Sequence, residues 1–303
     1  MVDYDVAIIG AGPAGLTAGI YCARYGLKTI IIEKGLIGGT ATLASSVQNY
    51  PGFLDISGME LMQKFAEQTE KLGVKIELDS VEKVTSEGKE QKLLLSGQTI
   101  TAKAVIVAVG AKSKWLKVKG EKELLNKGVH FCATCDGPMY NGKEVAVIGY
   151  DNRAADEAIY LASVTKKVTL ISSKKELTVD AVKAKNLKEK NVNILLGTNV
   201  LGFDGKNNLE EVHLKLADGK ESKMKISAAF IYIGSDPSTE FVEVKKDNDG
   251  RIIVNEKMET NTKGIFSAGD CILKELYQIS TCVGEGATVS NTVAKYVREN
   301  FEE

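Results

Sequence analysis

The chain has 303 residues, 44% of them apolar, with 39 basic against 40 acidic side chains. That length allows two ordinary domains, each with its own core, and the near-zero net charge gives no case for nucleic acid or a membrane surface as partner. No run approaches the length of a membrane span and no cleavable leader opens the chain, so the expected location is cytoplasmic.

Residues Tyr4–Ile9 read as an apolar strand, and Gly10-Ala11-Gly12-Pro13-Ala14-Gly15 turns it into a helix running to about Tyr25. A second strand ends at Glu33, which completes a βαβ unit. Gly10 permits the tight turn, Gly12 lets backbone approach a pyrophosphate, and Gly15 lets helix and strand pack closely. Glu33 suits a ribose diol. The turn alone does not choose between FAD and NAD. Further along, 105–109 is an apolar run closed by Gly110, and lysine-rich 112–119 reads as a linker. Then the pattern restarts: strand 145–148, turn at Gly149, helix 154–163, strand 168–171. The run 228–233 with Gly234 echoes 105–110. A last strand, 264–268, leads to Gly269-Asp270 and a closing helix from about Gly284.

Of five cysteines (Cys22, Cys132, Cys135, Cys271, Cys282), one pair stands at C-x-x-C spacing, Cys132-Ala133-Thr134-Cys135. In a reducing compartment that spacing suits a reversible disulfide or a metal. One thiolate of such a pair is typically acidified. Asp136, next in sequence, is placed to deliver or remove the proton that disulfide reduction needs. His130, Cys132, Cys135 and Asp136 can be counted as four metal ligands. Consecutive Cys135 and Asp136 are awkward on one tetrahedral ion, however, and no second ligand pair exists, so no metal is expected. Cys22, Cys271 and Cys282 read as structural, and His213, in an alternating strand-like run, needs no special role.

Taken in order, G-A-G-P-A-G, Glu33, Asn49-Tyr50-Pro51-Gly52, C-A-T-C-D-G, a second βαβ unit and G-I-F-S-A-G-D resemble the low-molecular-weight thioredoxin reductases along the whole chain. The resemblance implies an α/β protein of two Rossmann-like three-layer nucleotide-binding domains. Residues 1–115 plus 245–303 would bind FAD; residues 118–242 would be an inserted NAD(P)-domain-like unit carrying the disulfide. It also implies a homodimer and a thioredoxin as disulfide substrate. Gly10, Gly12, Gly15, Glu33 and Asp270 would hold FAD. Pro13, Ala14, Gly39, Thr40, Asn49, Gly110, Gly269, Gln278 and Ile279 are further candidates. Cys135 would face the flavin, Cys132 would attack the substrate and Asp136 would be the acid/base. One domain would rotate on hinges near Lys117 and Glu243.

The second turn departs from the NADPH-dependent members, where it is glycine-rich and the next strand ends in His-Arg-Arg. Here Gly149-Tyr150-Asp151-Asn152-Arg153-Ala154 puts Asp151 in the place of the second glycine. The strand ends Ile171-Ser172-Ser173-Lys174-Lys175, and Arg153 is the only arginine of that domain. Lysine is a point charge without the arginine fork. In these respects the chain most resembles the ferredoxin-dependent flavin thioredoxin reductases. Electrons would then come singly from ferredoxin, which would dock on Lys112, Lys114, Lys117 and Lys119 or on Lys183, Lys185, Lys188 and Lys190. Two alternatives are an NADPH- or NADH-dependent reductase with an unusual nucleotide site and a redox-sensing flavoprotein without turnover. Gly38-Gly39-Thr40 and Leu276-Tyr277-Gln278 also depart from the family pattern, and Tyr277 is a candidate shield for the isoalloxazine.

Overall fold

The computed structural model describes residues 2–44 and 46–301. In chain order the first elements are β1 (Tyr4–Ile9), α1 (Pro13–Arg24), β2 (Thr29–Glu33) and α2 (Gly58–Lys71). They are followed by β3 (Lys75–Leu78), β4 (Val81–Glu87), β5 (Glu90–Leu95) and β6 (Thr99–Val107). After a two-residue strand β7 (Lys112–Ser113) come β8 (Val129–His130), α3 (Ala133–Asp136), β9 (Glu144–Gly149) and α4 (Asn152–Val164). Next are β10 (Lys167–Ile171), α5 (Ala181–Glu189), β11 (Asn193–Leu195), β12 (Asn199–Asp204), β13 (Glu211–Lys215), β14 (Glu221–Lys225) and β15 (Ala228–Tyr232). A short β16 (Ser235–Asp236) precedes β17 (Ile265–Ser267) and α6 (Ile279–Phe301).

These elements gather into two compact units, residues 1–112 with 236–303 and residues 113–235. The division falls earlier than the expected boundaries at 115/118 and 242/245. The returning chain joins the first unit at once: Val84 N donates to Phe241 O at 2.8 Å, and Val242 is buried there.

In the first unit the described residues form a seven-stranded sheet in the order β3-β2-β1-β6-β5-β4, with β17 also paired to β6. The β1, β2, β3, β6 and β17 pairings are parallel; β4 and β5 are an antiparallel extension. Val6 and Ile8 enter one core cluster with Leu16, Val289 and Val293, whereas Ala7 and Ile9 enter another with Ile30, Val105 and Ile272. A strand covered on both faces needs apolar residues at every position, which is why β1 reads as a run rather than an alternation. Each such side chain contributes roughly 1.5–3 kcal/mol on burial.

The second unit repeats the plan with a five-stranded sheet, β11-β10-β9-β15-β8. Helices α4 and α5 supply Ala154, Ala158, Leu161 and Leu187 to the core on one face, and the antiparallel β12–β14 sheet supplies Phe203, Val212 and Leu214 on the other. The fold is therefore α/β, with two Rossmann-like three-layer units, as the sequence implied.

The closing helix is longer than expected, beginning at Ile279 rather than Gly284. Within the helix, Gly286 serves close packing: a Cβ there would stand 2.5 Å from Ala14 O. Ser290 Oγ, one turn on, donates to Ala18 O at 3.1 Å.

Candidate active site

The first nucleotide turn is built as a cradle. Gly10 sits at φ 104°, and a Cβ on it would overlap Ala108 O; one on Gly15 would overlap Gly10 O. Gly12 is different, since a Cβ there would meet nothing within 4 Å. Gly12 is the N-cap of α1, and no side chain caps that helix. Open space in front of uncapped helical amides is the geometry that receives a phosphate. Pro13 and Ala14 open the same helix, and Gly39 lies against Gly12. Both oxygens of Glu33 are hydrogen-bonded, accepting from Ala11 N at 2.8 Å and Gly35 N at 2.7 Å. The acid therefore ties the turn to the tip of β2.

The distal segment converges on this turn. A Cβ on Gly269 (φ 84°) would stand 2.9 Å from Ala14 Cβ. Gly269 N donates to Glu285 Oε2 at 2.9 Å, and Lys274 Nζ lies 3.2 Å from Asp270 Oδ1 and 2.9 Å from Glu285 Oε2. Burial pushes the Glu285 carboxyl upward. Asn49 Nδ2 donates to Gln278 Oε1 at 3.0 Å, joining two further candidates, while Ile279 packs on the Val47–Ile56 cluster. Thr40 is exposed in a 3-10 turn, and Gly110 follows β6 at φ 67°. Tyr277 lies 4.6 Å from the Arg251 guanidinium and 5.4 Å from Lys274 Nζ, ring centroid to cation. Lys274, Glu285 and Arg251 were not singled out from the sequence. Glu285 meets Lys274 from 11 residues away and Arg251 reaches Asp270 O across 19, beyond any local spacing rule, whereas Lys274 and Asp270 are only four residues apart.

In the second unit Cys132 and Cys135 form a disulfide across α3. Cys132, the N-cap, is half-buried and Cys135 exposed. Cys132 Sγ accepts from Cys135 N at 3.3 Å and lies 3.5 Å from Thr134 Oγ1. Such donors favour a thiolate at Cys132 once the bond is open. Gly137 has no room for a side chain, because its Cβ would stand 2.7 Å from Leu161 Cδ2. Behind the loop, Ala133 N donates to the Tyr232 hydroxyl at 2.7 Å, and Tyr232 bonds Glu157 of α4. Burial pushes the Glu157 carboxyl and the Tyr232 phenol upward. Asp136 Oδ2 lies 3.1 Å from Nδ1 of buried His130. The sequence offered His130 as a metal ligand. With both thiols joined in a disulfide, that ligand set does not exist in this state.

Cys22, Cys271 and Cys282 are free and buried, and burial raises all three thiols, Cys22 to about 12. Thiols so placed are unreactive. His213 lies with Asp204 and Glu211 on the β12–β13 surface, but Lys223 already neutralises Glu211 at 2.5 Å.

The second nucleotide turn has the same backbone plan and the opposite chemistry. A Cβ on Gly149 would stand 2.5 Å from Tyr232 O, as one on Gly10 would crowd Ala108 O. Asp151, however, caps α4 with its own carboxylate, Oδ1 accepting from Ala154 N at 2.9 Å. The 174–180 segment folds over this end: Thr178 N donates to Tyr150 O at 2.7 Å and Asp180 N to Asn152 Oδ1 at 2.9 Å. Arg153 is stacked 5.5 Å from the Tyr232 ring, and Lys174 5.5 Å from that of Tyr150.

A phosphate cradle in one unit and a redox-ready C-x-x-C disulfide in the other describe a dinucleotide-dependent disulfide oxidoreductase. Residues 4–286 match the family described as pyridine nucleotide-disulphide oxidoreductase. A thioredoxin reductase of Bacillus subtilis is 39% identical over 303 residues, covering 98% of this chain and 95% of that protein. The thioredoxin reductase structure from Streptococcus pyogenes is similar at a TM-score of 0.91 and 35% identity, with 98% of each chain covered. A ferredoxin-flavin thioredoxin reductase from Clostridium acetobutylicum is similar at a TM-score of 0.55 and 34% identity, covering 98% of this chain and 99% of that one. The chain belongs to the pyridine nucleotide-disulphide oxidoreductases and, within them, to the low-molecular-weight thioredoxin reductase family. It is an oxidoreductase acting on sulfur groups, and its cofactor is FAD. The uncapped, roomy N-terminus of α1 fits that cofactor's pyrophosphate.

Proposed function

We propose that this enzyme reduces the disulfide of a thioredoxin and that its flavin is charged by ferredoxin rather than by a nicotinamide nucleotide. The observation that carries the choice of donor is the contrast between two equivalent helix ends. The α1 end is bare, and the α4 end is filled by the carboxylate of Asp151. A phosphate arriving at α4 would have to displace that cap and sit beside a like charge. No arginine pair compensates, and the unit's one arginine is engaged with Tyr232.

In this reading Gly10, Gly12, Pro13, Ala14 and Gly15 receive the FAD pyrophosphate, and Glu33 the adenosine ribose. Gly269 and Asp270 hold the ribityl chain. Gly39, Thr40, Asn49, Gly110, Gln278 and Ile279 line the rest. Bound FAD supplies the conversion between single electrons and the two-electron opening of a disulfide. Cys135 takes the flavin side, Cys132 attacks the substrate disulfide as a thiolate, and Asp136 moves the proton. A homodimer and a cytoplasmic location complete the reading. No helix of the described residues is long and apolar enough to cross a membrane.

Ferredoxins are acidic, so a basic face is needed. Lys114, Lys117 and Lys119 are exposed and enter no ion pair among the described residues. In the α5 cluster, by contrast, Lys183 holds Asp156 at 2.6 Å and Lys185 lies 3.6 Å from Glu189. The first cluster is therefore the better dock. A second reading, with NADPH or NADH as donor, is favoured by the pyridine nucleotide in the family's description and by Lys174 and Lys175 after β10. Anaerobic titration of the flavin band separates the two. Bleaching by reduced ferredoxin alone supports the first reading, and rapid bleaching by NADPH overturns it.

A further inference from the structure

His130 ends β8, is 1% exposed, and is stacked on Phe230 of β15 with ring centroids 5.4 Å apart. Its Nε2 lies 2.8 Å from the Tyr140 hydroxyl. Its Nδ1 lies 3.1 Å from Asp136 Oδ2 but makes no aligned hydrogen bond among the described residues. A buried ring nitrogen without a partner is rare and asks for a reason. The tautomer supplies it. Burial, and then the charge of Asp136, push the Tyr140 phenol up to about 12. Tyr140 therefore keeps its proton and donates it to Nε2, which leaves the ring proton on Nδ1, facing Asp136.

We infer that His130, steadied by Tyr140, is a positioning residue for proton transfer by Asp136: its Nδ1–H completes a hydrogen bond to the carboxylate whenever Asp136 has given up its proton. This rests on Asp136 being the acid/base, as proposed above. In the exchange, the Cys132 thiolate attacks one sulfur of the substrate disulfide. The substrate S–S bond breaks, and the leaving sulfur takes the proton of the Asp136 carboxyl. The new carboxylate is caught by His130 Nδ1–H. The Cys135 thiol then returns a proton to Asp136 as its sulfur attacks Cys132 Sγ. The enzyme disulfide re-forms and the second substrate sulfur leaves as a thiolate. One electron pair has passed from enzyme dithiol to substrate, and no further oxidant or reductant is needed. Around the pair, the titratable or charged groups are Cys132 and Cys135 on α3, Tyr140 on the next turn, and Tyr232, Glu157 and Arg153 on β15 and α4. The last three engage Ala133 and one another. Phe230 is neutral.

The test is rapid-mix reoxidation of the FAD-loaded, dithiol enzyme across about pH 5 to 9. Two probes are used: bis(2-hydroxyethyl) disulfide, whose leaving thiolate needs a proton, and an aromatic nitrobenzoate disulfide, whose leaving thiolate does not. Without the Nδ1 donor the Asp136 carboxylate is less stabilised. In His130→Ala the alkaline limb of the alkyl-disulfide profile should therefore move to higher pH and its low-pH plateau should fall roughly threefold, because a weaker acid gives up its proton more slowly, while the aromatic disulfide is unaffected. His130→Asn, whose amide nitrogen stands near the place of Nδ1, should recover most of the loss. Asp136→Asn should show the same leaving-group dependence, and adding His130→Ala to it should change nothing more. A His130→Ala profile identical to wild type overturns the inference and leaves Asp136 untouched. An Asp136→Asn enzyme without leaving-group dependence removes the acid/base reading and this inference with it. Should His130→Ala fail to fold, Tyr140→Phe decides, and an unshifted profile there overturns the proposal.

Discussion

Replacing Asp151 tests directly whether a carboxylate closes the second nucleotide turn. Its Oδ1 holds Ala154 N at 2.9 Å, where the amides of α4 would otherwise meet a pyrophosphate. A unit charge held about 4 Å from another at a protein surface repels it by about 4 kcal/mol. At about 1.4 kcal/mol per tenfold, that is roughly three orders of magnitude in affinity as an upper bound. The same carboxylate supports the fold, since losing an N-cap to alanine costs about 1 kcal/mol, while asparagine caps as well as aspartate. Asp151→Asn should therefore melt with the wild type and bind ADP more tightly. Asp151→Gly, which also clears the side chain, should bind at least about tenfold more tightly than wild type for a few tenths of a kcal/mol in stability. Isothermal titration with ADP and a thermal melt measure both. Wild-type-like ADP affinity in Asp151→Gly would refute the argument that this carboxylate is the block.

Gly12→Ala should fold with a melting point near wild type but lose flavin, because its Cβ enters only the open space in front of α1. Gly15→Ala should instead cost roughly 1–3 kcal/mol, its Cβ overlapping Gly10 O; the flavin-to-protein absorbance ratio and melts separate the two. Cys135→Ser should keep its flavin and lose disulfide reductase turnover altogether, whichever donor is offered; retained turnover would remove the disulfide from the electron path. Burial raises the folded Glu157 carboxyl above its ordinary value, so the folded state binds the extra proton between the two values. Stability from this group is complete below the ordinary carboxylate range and is lost as pH rises through the raised value. Glu157→Gln should accordingly gain on wild type as pH rises above the ordinary carboxylate range, and melting curves that stay parallel as pH rises would contradict this. Charge reversal at Lys114, Lys117 and Lys119 should slow ferredoxin-supported turnover most at low salt, and unchanged rates there would remove this dock.

Periodicity and turn chemistry are local, and what depends on them was legible in the chain itself. Tyr4–Ile9, the glycine turn, Glu33 and the repeated βαβ unit all rest on interactions within about thirty residues. So does the C-x-x-C pair, whose disulfide closes across a single turn. The α6 start, expected at Gly284, lies at Ile279, where Cys282 N donates to Gln278 O at 3.1 Å to close the first turn. Glu285 on Gly269, Arg251 on Asp270 O and Tyr232 on Ala133 join residues that share no motif, and only the packed chain brings them together. The class of fold, the glycine turn and the pair of sulfurs could be read from residues close together in the chain. That Asp151 caps its own helix and that His130 faces Asp136 from the core came from packing. Those outcomes depend on side-chain direction and burial, which spacing along a chain does not specify.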